Sequence, residues 1–168
     1  MTADIIIRPT TKDDIPQINN ILNDIIVNSD YYLSGKPRTP EDTMAWFEEH
    51  QRSDYYASFT ALCGNDFAGW VSLSPFRKAE GYNTTAELSI YIHPDYYRKG
   101  IGSALMWKIE DFAKEKGVLH SIISVISANN TPSIALHKKH NYITQGLLKE
   151  IAFKNNRFHD VILMTKII

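Results

Sequence analysis

Apolar residues recur at two spacings along the chain, and these spacings predict where its helices and strands lie. Residues 13–27 carry apolar side chains three and four positions apart, which is typical of an amphipathic helix. The segment 39–51 opens with Thr-Pro-Glu-Asp, a capping hydroxyl followed by a proline and two acidic residues, and this signature predicts a second helix. Residues 100–116, which a glycine follows, and residues 131–140, which open with Thr-Pro, predict two more helices.

Shorter segments have the alternation or the continuous apolar run expected of strands. A Gly-Asn-Asp sequence joins two of them as a hairpin, and Lys154-Asn155-Asn156 predicts a tight turn between the last two. The resulting order, β-α-α-β-β-β-α-β-α-β-β, predicts an α/β (α+β) fold: one domain over residues 1–168, with a mixed sheet of about seven strands and about four helices on both sides. The predicted strands are 5–8, 56–62, 67–73, 84–92, 119–126, 142–153 and 158–167.

Composition narrows the class of protein. A hydrophobic fraction of 43% and a charged fraction of 22% are ordinary for a soluble globular protein. The net charge of −1 provides no general attraction to nucleic acid or to an anionic membrane, so neither is an expected partner. Cys63 is the single cysteine, which excludes an internal disulfide, and the first residues lack the pattern of a signal peptide. We therefore expect a cytoplasmic protein without a membrane span.

Residues 90–105 form the most informative segment: an apolar strand, a proline turn, a basic loop with two glycines, and a helix start. Amides at a helix N-terminus are unpaired and carry the positive end of the dipole, so this junction suits a phosphate group. Gly100 and Gly102 allow a ligand to approach the main chain, and Arg98 and Lys99 add positive charge. The loop lacks the third glycine of a dinucleotide fold and the Gly-Lys-Ser/Thr triplet of a nucleotide-hydrolysing P-loop.

Two ionisable side chains are candidates for chemistry. Strand alternation puts Glu87 on one face with Ser89 and Tyr91, where its carboxylate is either paired with a neighbour such as Arg77 or acts as a general base in a cleft. His137 shares a helical face with the serine four residues earlier, and is either a structural histidine or part of the same cleft. The remaining histidines show no metal-ligand spacing, so no metal site is predicted.

Several motifs along nearly the whole chain together resemble the GNAT superfamily of acetyl-CoA-dependent N-acetyltransferases. The resemblance is greatest to the phosphinothricin acetyltransferase-like branch, which acetylates the α-amine of small amino acids. The motifs are ILNDIIVN, PRTPEDTMAWF, SLSPFRKAEGYNTTAELSIYIHP, RKGIGSAL, NNTPSIALHKKHNY and FKNNRFHDVILM.

The resemblance implies a site with acetyl-CoA as co-substrate and no metal. Glu87 matches the general base, which acts through water, and His137 stands where many relatives outside this branch have a tyrosine that protonates the leaving thiolate. Residues matching the cofactor site are Ile90, Tyr91 and Ile92 for the pantetheine arm, Arg98, Lys99, Gly100, Ile101, Gly102 and Ser103 for the pyrophosphate, and Asn130 and Ser133 on the next helix.

The prediction of the acceptor-binding residues rests on weaker signals. Arg77 and Lys78 are expected to bind a substrate carboxylate, with Tyr32, Phe76 and Tyr82 lining the pocket, although a solvated loop is the alternative for the two basic residues. Residues 28–38 are likewise either a plain connector or a substrate lid. Transfer is expected to be direct, to a small-molecule amine such as phosphinothricin, methionine sulfone or methionine sulfoximine. The alternatives are a protein N-terminus, a polyamine or an aminoglycoside as acceptor, or a non-catalytic acyl-CoA sensor.

The chain also departs from the pattern of the family it resembles. Tyr97 stands where Arg or Gln is usual, and Arg98 and Asn141 each replace a usual glycine. The loop 28–35 lacks the expected phenylalanine–acid pair, and this puts the identity of the acceptor in question more than the chemistry. Because relatives in the branch are homodimers, the resemblance also implies a homodimer.

Overall fold

The computed structural model describes residues 4–168, and these residues form the predicted elements in the predicted order. The four helices and seven strands differ from the predicted bounds by about two residues at their ends, the usual scatter of such predictions. They are β1 (Ile5–Pro9), α1 (Ile15–Asn28), α2 (Pro40–Gln51), β2 (Ser58–Cys63), β3 (Asp66–Pro75), β4 (Thr85–Ile92), α3 (Ile101–Lys116), β5 (Ser121–Ser127), α4 (Thr131–Lys139), β6 (Ile143–Lys154) and β7 (Arg157–Ile167).

Local signals place the helix ends. The Thr39 hydroxyl accepts a hydrogen bond from the backbone N–H of Asp42 at 3.1 Å, and the Asp42 carboxylate accepts one from the N–H of Thr39, which makes a capping box at α2. Gly117, with φ of 63°, ends α3 in the left-handed region. Asn141 also adopts a left-handed φ, of 65°, so the turn at this position forms without the usual glycine.

The seven strands form one mixed sheet in the order β1-β2-β3-β4-β5-β7-β6. Neighbouring strands are antiparallel except β4 and β5, which are parallel and pair only from Thr85 to Glu87 on β4. Beyond Glu87, β4 continues to Ile92 with β3 on one side and no paired β5 residue on the other. The sheet is therefore split between β4 and β5, and Glu87 lies where the split begins.

Helices cover both faces of the sheet. On one face α3 packs through Leu105, Met106 and Ile109, together with apolar residues of α4. On the other face α1 and α2 enclose a smaller core that includes Ile18 and Trp70. No helix within residues 4–168 is both long enough and apolar enough to cross a membrane.

The tip of the β6–β7 hairpin differs from the predicted three-residue turn. Asn155 and Asn156 make the turn alone, with left-handed φ values of 51° and 57°. Lys154 is instead the last residue of β6 and is only 5% exposed. Its side chain reaches the C-terminal end of α1, which local sequence does not indicate. The Lys154 ammonium donates to three backbone carbonyls, those of Ile26 at 2.7 Å, Ser29 at 2.8 Å and Tyr32 at 2.7 Å.

Candidate active site

Glu87 is half-buried at the start of the split in the sheet. It lies on the same face of β4 as Ser89 and Tyr91, and it pairs with Ser74 on the neighbouring strand β3. Within residues 4–168 it forms no salt bridge, so the alternative of an ion pair with Arg77 does not occur. Burial raises the pKa of the Glu87 carboxyl above its ordinary value. An unpaired carboxylate with a raised pKa, close to an opening in the sheet, has the properties of a general base.

The open edge of β4 lies beside this carboxylate. Ile90, Tyr91 and Ile92 pair with β3 and have no β5 partner, so the other side of their backbone faces the split. Unpaired backbone groups of a strand are ready to form hydrogen bonds with an extended ligand. The predicted pantetheine-binding strand therefore has an open edge where the prediction requires one.

The loop before α3 has the conformation that a phosphate site needs. Gly100 adopts a left-handed φ of 84° at the N-cap, and the first intrahelical bond runs from Ala104 N–H to the Gly100 carbonyl at 3.1 Å. The amides of Ile101, Gly102 and Ser103 precede that bond, so they have no partner within the helix. A Cβ on Gly102 would lie 3.0 Å from the Leu136 side chain, so this position favours glycine.

Basic side chains surround the same loop. Arg98 and Lys99 are exposed, and Arg98 has a left-handed φ of 60°, a conformation that favours glycine. The structure adds Lys139, which was not predicted: its ammonium donates to the Ser103 hydroxyl at 3.0 Å. Lys139 lies at the end of α4, and sequence spacing alone gives no sign that it meets α3. The loop amides and these cations fit a pyrophosphate.

The predicted residues of α4 lie close to one another. Asn130 caps the helix by accepting a hydrogen bond from the Ser133 N–H at 3.2 Å. His137 is 1% exposed, its Nδ1–H donates to the Ser133 carbonyl at 2.8 Å, and its Nε2 accepts from the Ser124 hydroxyl at 2.9 Å. A carbonyl only accepts, so Nδ1 carries the proton, and burial lowers the pKa of the ring. In this geometry, proton transfer from His137 to a thiolate would require one of these hydrogen bonds to break.

A small open pocket lies on the α1–α2 face, lined by Ser89 and Tyr91, which follow Glu87 on the same face of β4. Its floor is formed by two cross-strand pairs, Trp70 with Tyr91 and Ser72 with Ser89, and the Trp70 and Tyr91 rings stack at 4.6 Å. Tyr32, a predicted substrate residue, lines this pocket. Arg38 and Trp46 line it as well and were not predicted; Arg38 precedes a helix cap in a loop without periodicity, so its sequence context gave no indication.

The other predicted acceptor residues lie in the loop between β3 and β4. Phe76 and Tyr82 meet edge to face at 5.6 Å, and the Arg77 guanidinium lies 5.1 Å from the Phe76 ring centre and 6.0 Å from that of Tyr82. Lys78 is exposed in the same loop, outside this cluster. The loop adjoins the strand ends at which Pro75 faces Ala86, one residue from Glu87. Glu87 thus lies between this cluster and the pocket.

Comparison with known families agrees with this geometry. The model of the acetyltransferase (GNAT) family matches residues 23–142, which include Glu87, the loop before α3 and all of α4. The chain belongs to the GNAT family. Its N-acetyltransferase fold, with seven strands and four helices among the described residues, is that of the family.

Individual GNAT relatives are similar over almost their whole lengths. An L-methionine sulfoximine/L-methionine sulfone acetyltransferase of Pseudomonas aeruginosa is 28% identical over 158 residues, which cover 94% of this chain and 91% of the relative. A phosphinothricin acetyltransferase of Sinorhizobium meliloti, solved in complex with acetyl-CoA, is 27% identical with a TM-score of 0.92, covering 100% of this chain and 89% of that one.

A third relative carries a different name. The structure of a ribosomal-protein-alanine N-acetyltransferase from Brucella melitensis is 32% identical with a TM-score of 0.92, covering 97% of this chain and 99% of that one. All three names describe acetyltransferases. This GNAT protein is an acyltransferase, and membership of the family implies acetyl-CoA as its co-substrate.

The basic loop yields a first testable prediction. Replacing Arg98 with alanine is expected to raise the KM for acetyl-CoA about 10-fold with little change in kcat, because the charge-assisted contact to phosphate that we expect from Arg98 would be lost. Arg98→Gly should raise KM equally but increase thermal stability, since glycine adopts the left-handed φ without strain. Steady-state kinetics and thermal unfolding check both. An unchanged KM in both variants would contradict the placement of the pyrophosphate at this loop.

Proposed function

We propose that this GNAT enzyme transfers the acetyl group of acetyl-CoA directly to the α-amine of a small amino acid or analogue, of the phosphinothricin, methionine sulfone and methionine sulfoximine type. The observation that carries the proposal is the position of Glu87. Its unpaired, half-buried carboxylate lies at the start of the split, between the open edge of β4 and the pocket lined by Ser89 and Tyr91. Relatives named for these acceptors support the same substrate class.

In the proposed reaction each part of the chain has one task. The amides before α3 hold the pyrophosphate, and the open edge of β4 directs the thioester toward Glu87. Glu87 takes one proton from the acceptor ammonium through a water molecule. The resulting amine attacks the acetyl carbonyl, a C–N bond forms, and the C–S bond breaks. The second proton of the nitrogen passes to the departing sulfur, so that amide and free thiol are the products.

The acceptor's α-carboxylate is assigned to Arg77. A guanidinium matches a carboxylate with two parallel hydrogen bonds, and Phe76 and Tyr82 hold this one at the strand end beside Glu87. The α-carboxylate is only two bonds from the amine, so an anchor next to the base suits it. Lys78, exposed in the same loop, adds positive charge nearby.

An acceptor screen tests the proposal. The enzyme is mixed with acetyl-CoA and either a panel of amino acids and analogues or a peptide that begins with alanine, and release of free thiol is followed. Faster turnover with a small amino acid is the expected result. Turnover with the peptide alone would favour the activity named in the Brucella relative and overturn the proposed acceptor class.

We further propose that the enzyme is a cytoplasmic homodimer. Support for the dimer comes from the β6–β7 hairpin, at the edge of the sheet, where apolar side chains are exposed to solvent. Ile151 is 59% exposed and Phe158 is 62% exposed, and the rings of Phe153 and Phe158 pack at 5.1 Å on this surface. A second copy of the chain would bury it. A lone cysteine is consistent with a reducing compartment such as the cytoplasm.

This surface provides a second prediction. Ile151→Glu is expected to convert the wild-type dimer into a monomer in sedimentation experiments, because the charge cannot be buried against an apolar partner. Lys149→Glu is the matched control, since it places the same charge at another exposed position of β6 and should leave the dimer intact. A wild-type protein that sediments as a monomer at micromolar concentrations would contradict the proposed dimer.

A further inference from the structure

Arg38 extends into the pocket and is held there at both ends. Its backbone N–H donates to Asn23 Oδ1 at 2.8 Å, and the Asn23 side-chain amide donates to the Arg38 carbonyl at 2.9 Å. At the other end, Arg38 Nη2 donates to the Tyr32 hydroxyl oxygen at 3.1 Å. The carbonyl of Tyr32 in turn accepts a hydrogen bond from Lys154 at 2.7 Å. The guanidinium is therefore positioned before any ligand binds.

The guanidinium has no anionic partner of its own. Among the residues from 4 to 168, no carboxylate forms a salt bridge with Arg38. Asp42 is the acid whose pKa Arg38 influences, but its carboxylate is engaged in the cap of α2 by hydrogen bonds from Thr39, which are the main cause of its lowered pKa. A half-buried guanidinium with unused donors, walled by aromatic rings, favours binding of an oxyanion.

The rest of the pocket wall supplies further donors. The Tyr32 hydroxyl accepts from Arg38, which leaves its own O–H to donate. Ser72 and Ser89 contribute hydroxyl-bearing side chains to the floor, while the walls from Trp46 and Trp70 are apolar. The residues that line the pocket include no carboxylate. Such a surface matches a ligand group with several acceptor oxygens and an apolar substituent.

The position of the pocket decides which part of the acceptor reaches it. Glu87, Ser89 and Tyr91 follow one another on one face of β4 at steps of about 7 Å, and the pocket lies over Ser89 and Tyr91. An amine that gives its proton to Glu87 has its α-carboxylate only two bonds away. A group that meets Arg38 must be several bonds farther from the amine, at the end of the side chain.

We propose that Arg38 binds an oxyanion at the end of the acceptor's side chain, so that the preferred acceptors are amino acids with an anionic side-chain group. The inference rests on the proposed function and names the substrate class more closely. In this arrangement the acceptor lies along β4, with its α-carboxylate at Arg77, its amine at Glu87 and its second anion against the hydrogen-bonded pair of Arg38 and Tyr32.

Two isosteric acceptors test this inference. The side chain of phosphinothricin ends in a methylphosphinate anion, and that of methionine sulfone ends in a methylsulfone of the same shape without charge. Wild-type enzyme is expected to show a kcat/KM at least 10-fold higher for phosphinothricin. Arg38→Gln should lower kcat/KM for phosphinothricin about 100-fold and that for the sulfone less than 5-fold, because only the first loses a charged pair. Arg38→Lys should fall between wild type and Arg38→Gln.

Each outcome has one meaning. Equal losses with both acceptors would overturn the inference, since Arg38 would then serve a group that the two share. A wild-type enzyme that acetylates the sulfone as well as phosphinothricin would overturn it without any variant, and would leave the proposed function standing. Failure of the wild-type enzyme to acetylate any amino acid would instead overturn the proposed function. Arg38 does not contact acetyl-CoA in this arrangement. The affinity of each variant for acetyl-CoA therefore reports whether that variant is folded.

Discussion

Glu87→Gln is expected to lower kcat by about 100-fold or more while leaving acetyl-CoA affinity nearly unchanged. The substitution keeps the size and hydrogen-bonding capacity of the side chain but removes the group that we propose accepts the ammonium proton. Glu87 lies at the start of the split and has no other partner among the described residues, so no ion pair is broken. Steady-state kinetics and calorimetric titration with acetyl-CoA measure the two effects. Activity within a few-fold of wild type would remove Glu87 as the base.

The pH dependence of kcat in wild type and in Glu87→Gln separates loss of the base from loss of structure. In the proposed reaction Glu87 acts as a carboxylate, and burial raises its pKa, so wild-type kcat should fall as the pH drops through a value above the ordinary one for glutamate. That acidic limb should be absent in Glu87→Gln. Glu150→Gln, a change on the exposed surface of β6, should retain both the limb and the rate.

Lys154→Met is expected to reduce the free energy of unfolding by about 2–4 kcal/mol, and to raise the KM for the acceptor more than that for acetyl-CoA. The loss of the ammonium leaves three carbonyls, those of Ile26, Ser29 and Tyr32, without their donor, at about 1 kcal/mol each. The first lies in the last turn of α1, where a cation is also favoured by the helix dipole. The loop that holds Tyr32 in the pocket loses its attachment to β6.

Chemical denaturation and acceptor kinetics measure these two effects of Lys154→Met. Lys149→Met is the control, because it removes the same charge from an exposed position of the same strand. A Lys154→Met protein whose stability lies within about 0.5 kcal/mol of wild type would show that the three hydrogen bonds do not hold the loop. A parallel rise in both KM values would contradict a specific effect on the acceptor.

The elements and their order were predictable because their signals are local. The Thr39-Pro40 start of α2 and the Gly117 end of α3 require only neighbouring residues, and both were predicted correctly. The alternation that places Glu87 with Ser89 and Tyr91 is local as well. The left-handed conformation of Asn141 followed from the known tolerance of asparagine for that region.

The parts that were missed depend on residues distant in sequence. Lys154 stands beside a turn signal, and its burial is decided by carbonyls of α1 and the loop after it, more than 120 residues away. The point at which β4 and β5 separate is set by the geometry of two whole strands. The position of Arg38 at the pocket depends on hydrogen bonds with Asn23 and Tyr32, which its local sequence does not indicate.

Mass spectrometry of a single reaction mixture tests the central claim most directly. The protein is incubated with acetyl-CoA and phosphinothricin, and the masses of the acceptor, coenzyme A and the protein are measured in the same mixture. Direct transfer at Glu87 predicts an acceptor acetylated on its α-amine, one free thiol for each acetyl group moved, and an unmodified protein. Bound acetyl-CoA with no acetylated acceptor, or an acetyl group retained on the protein, would contradict the account.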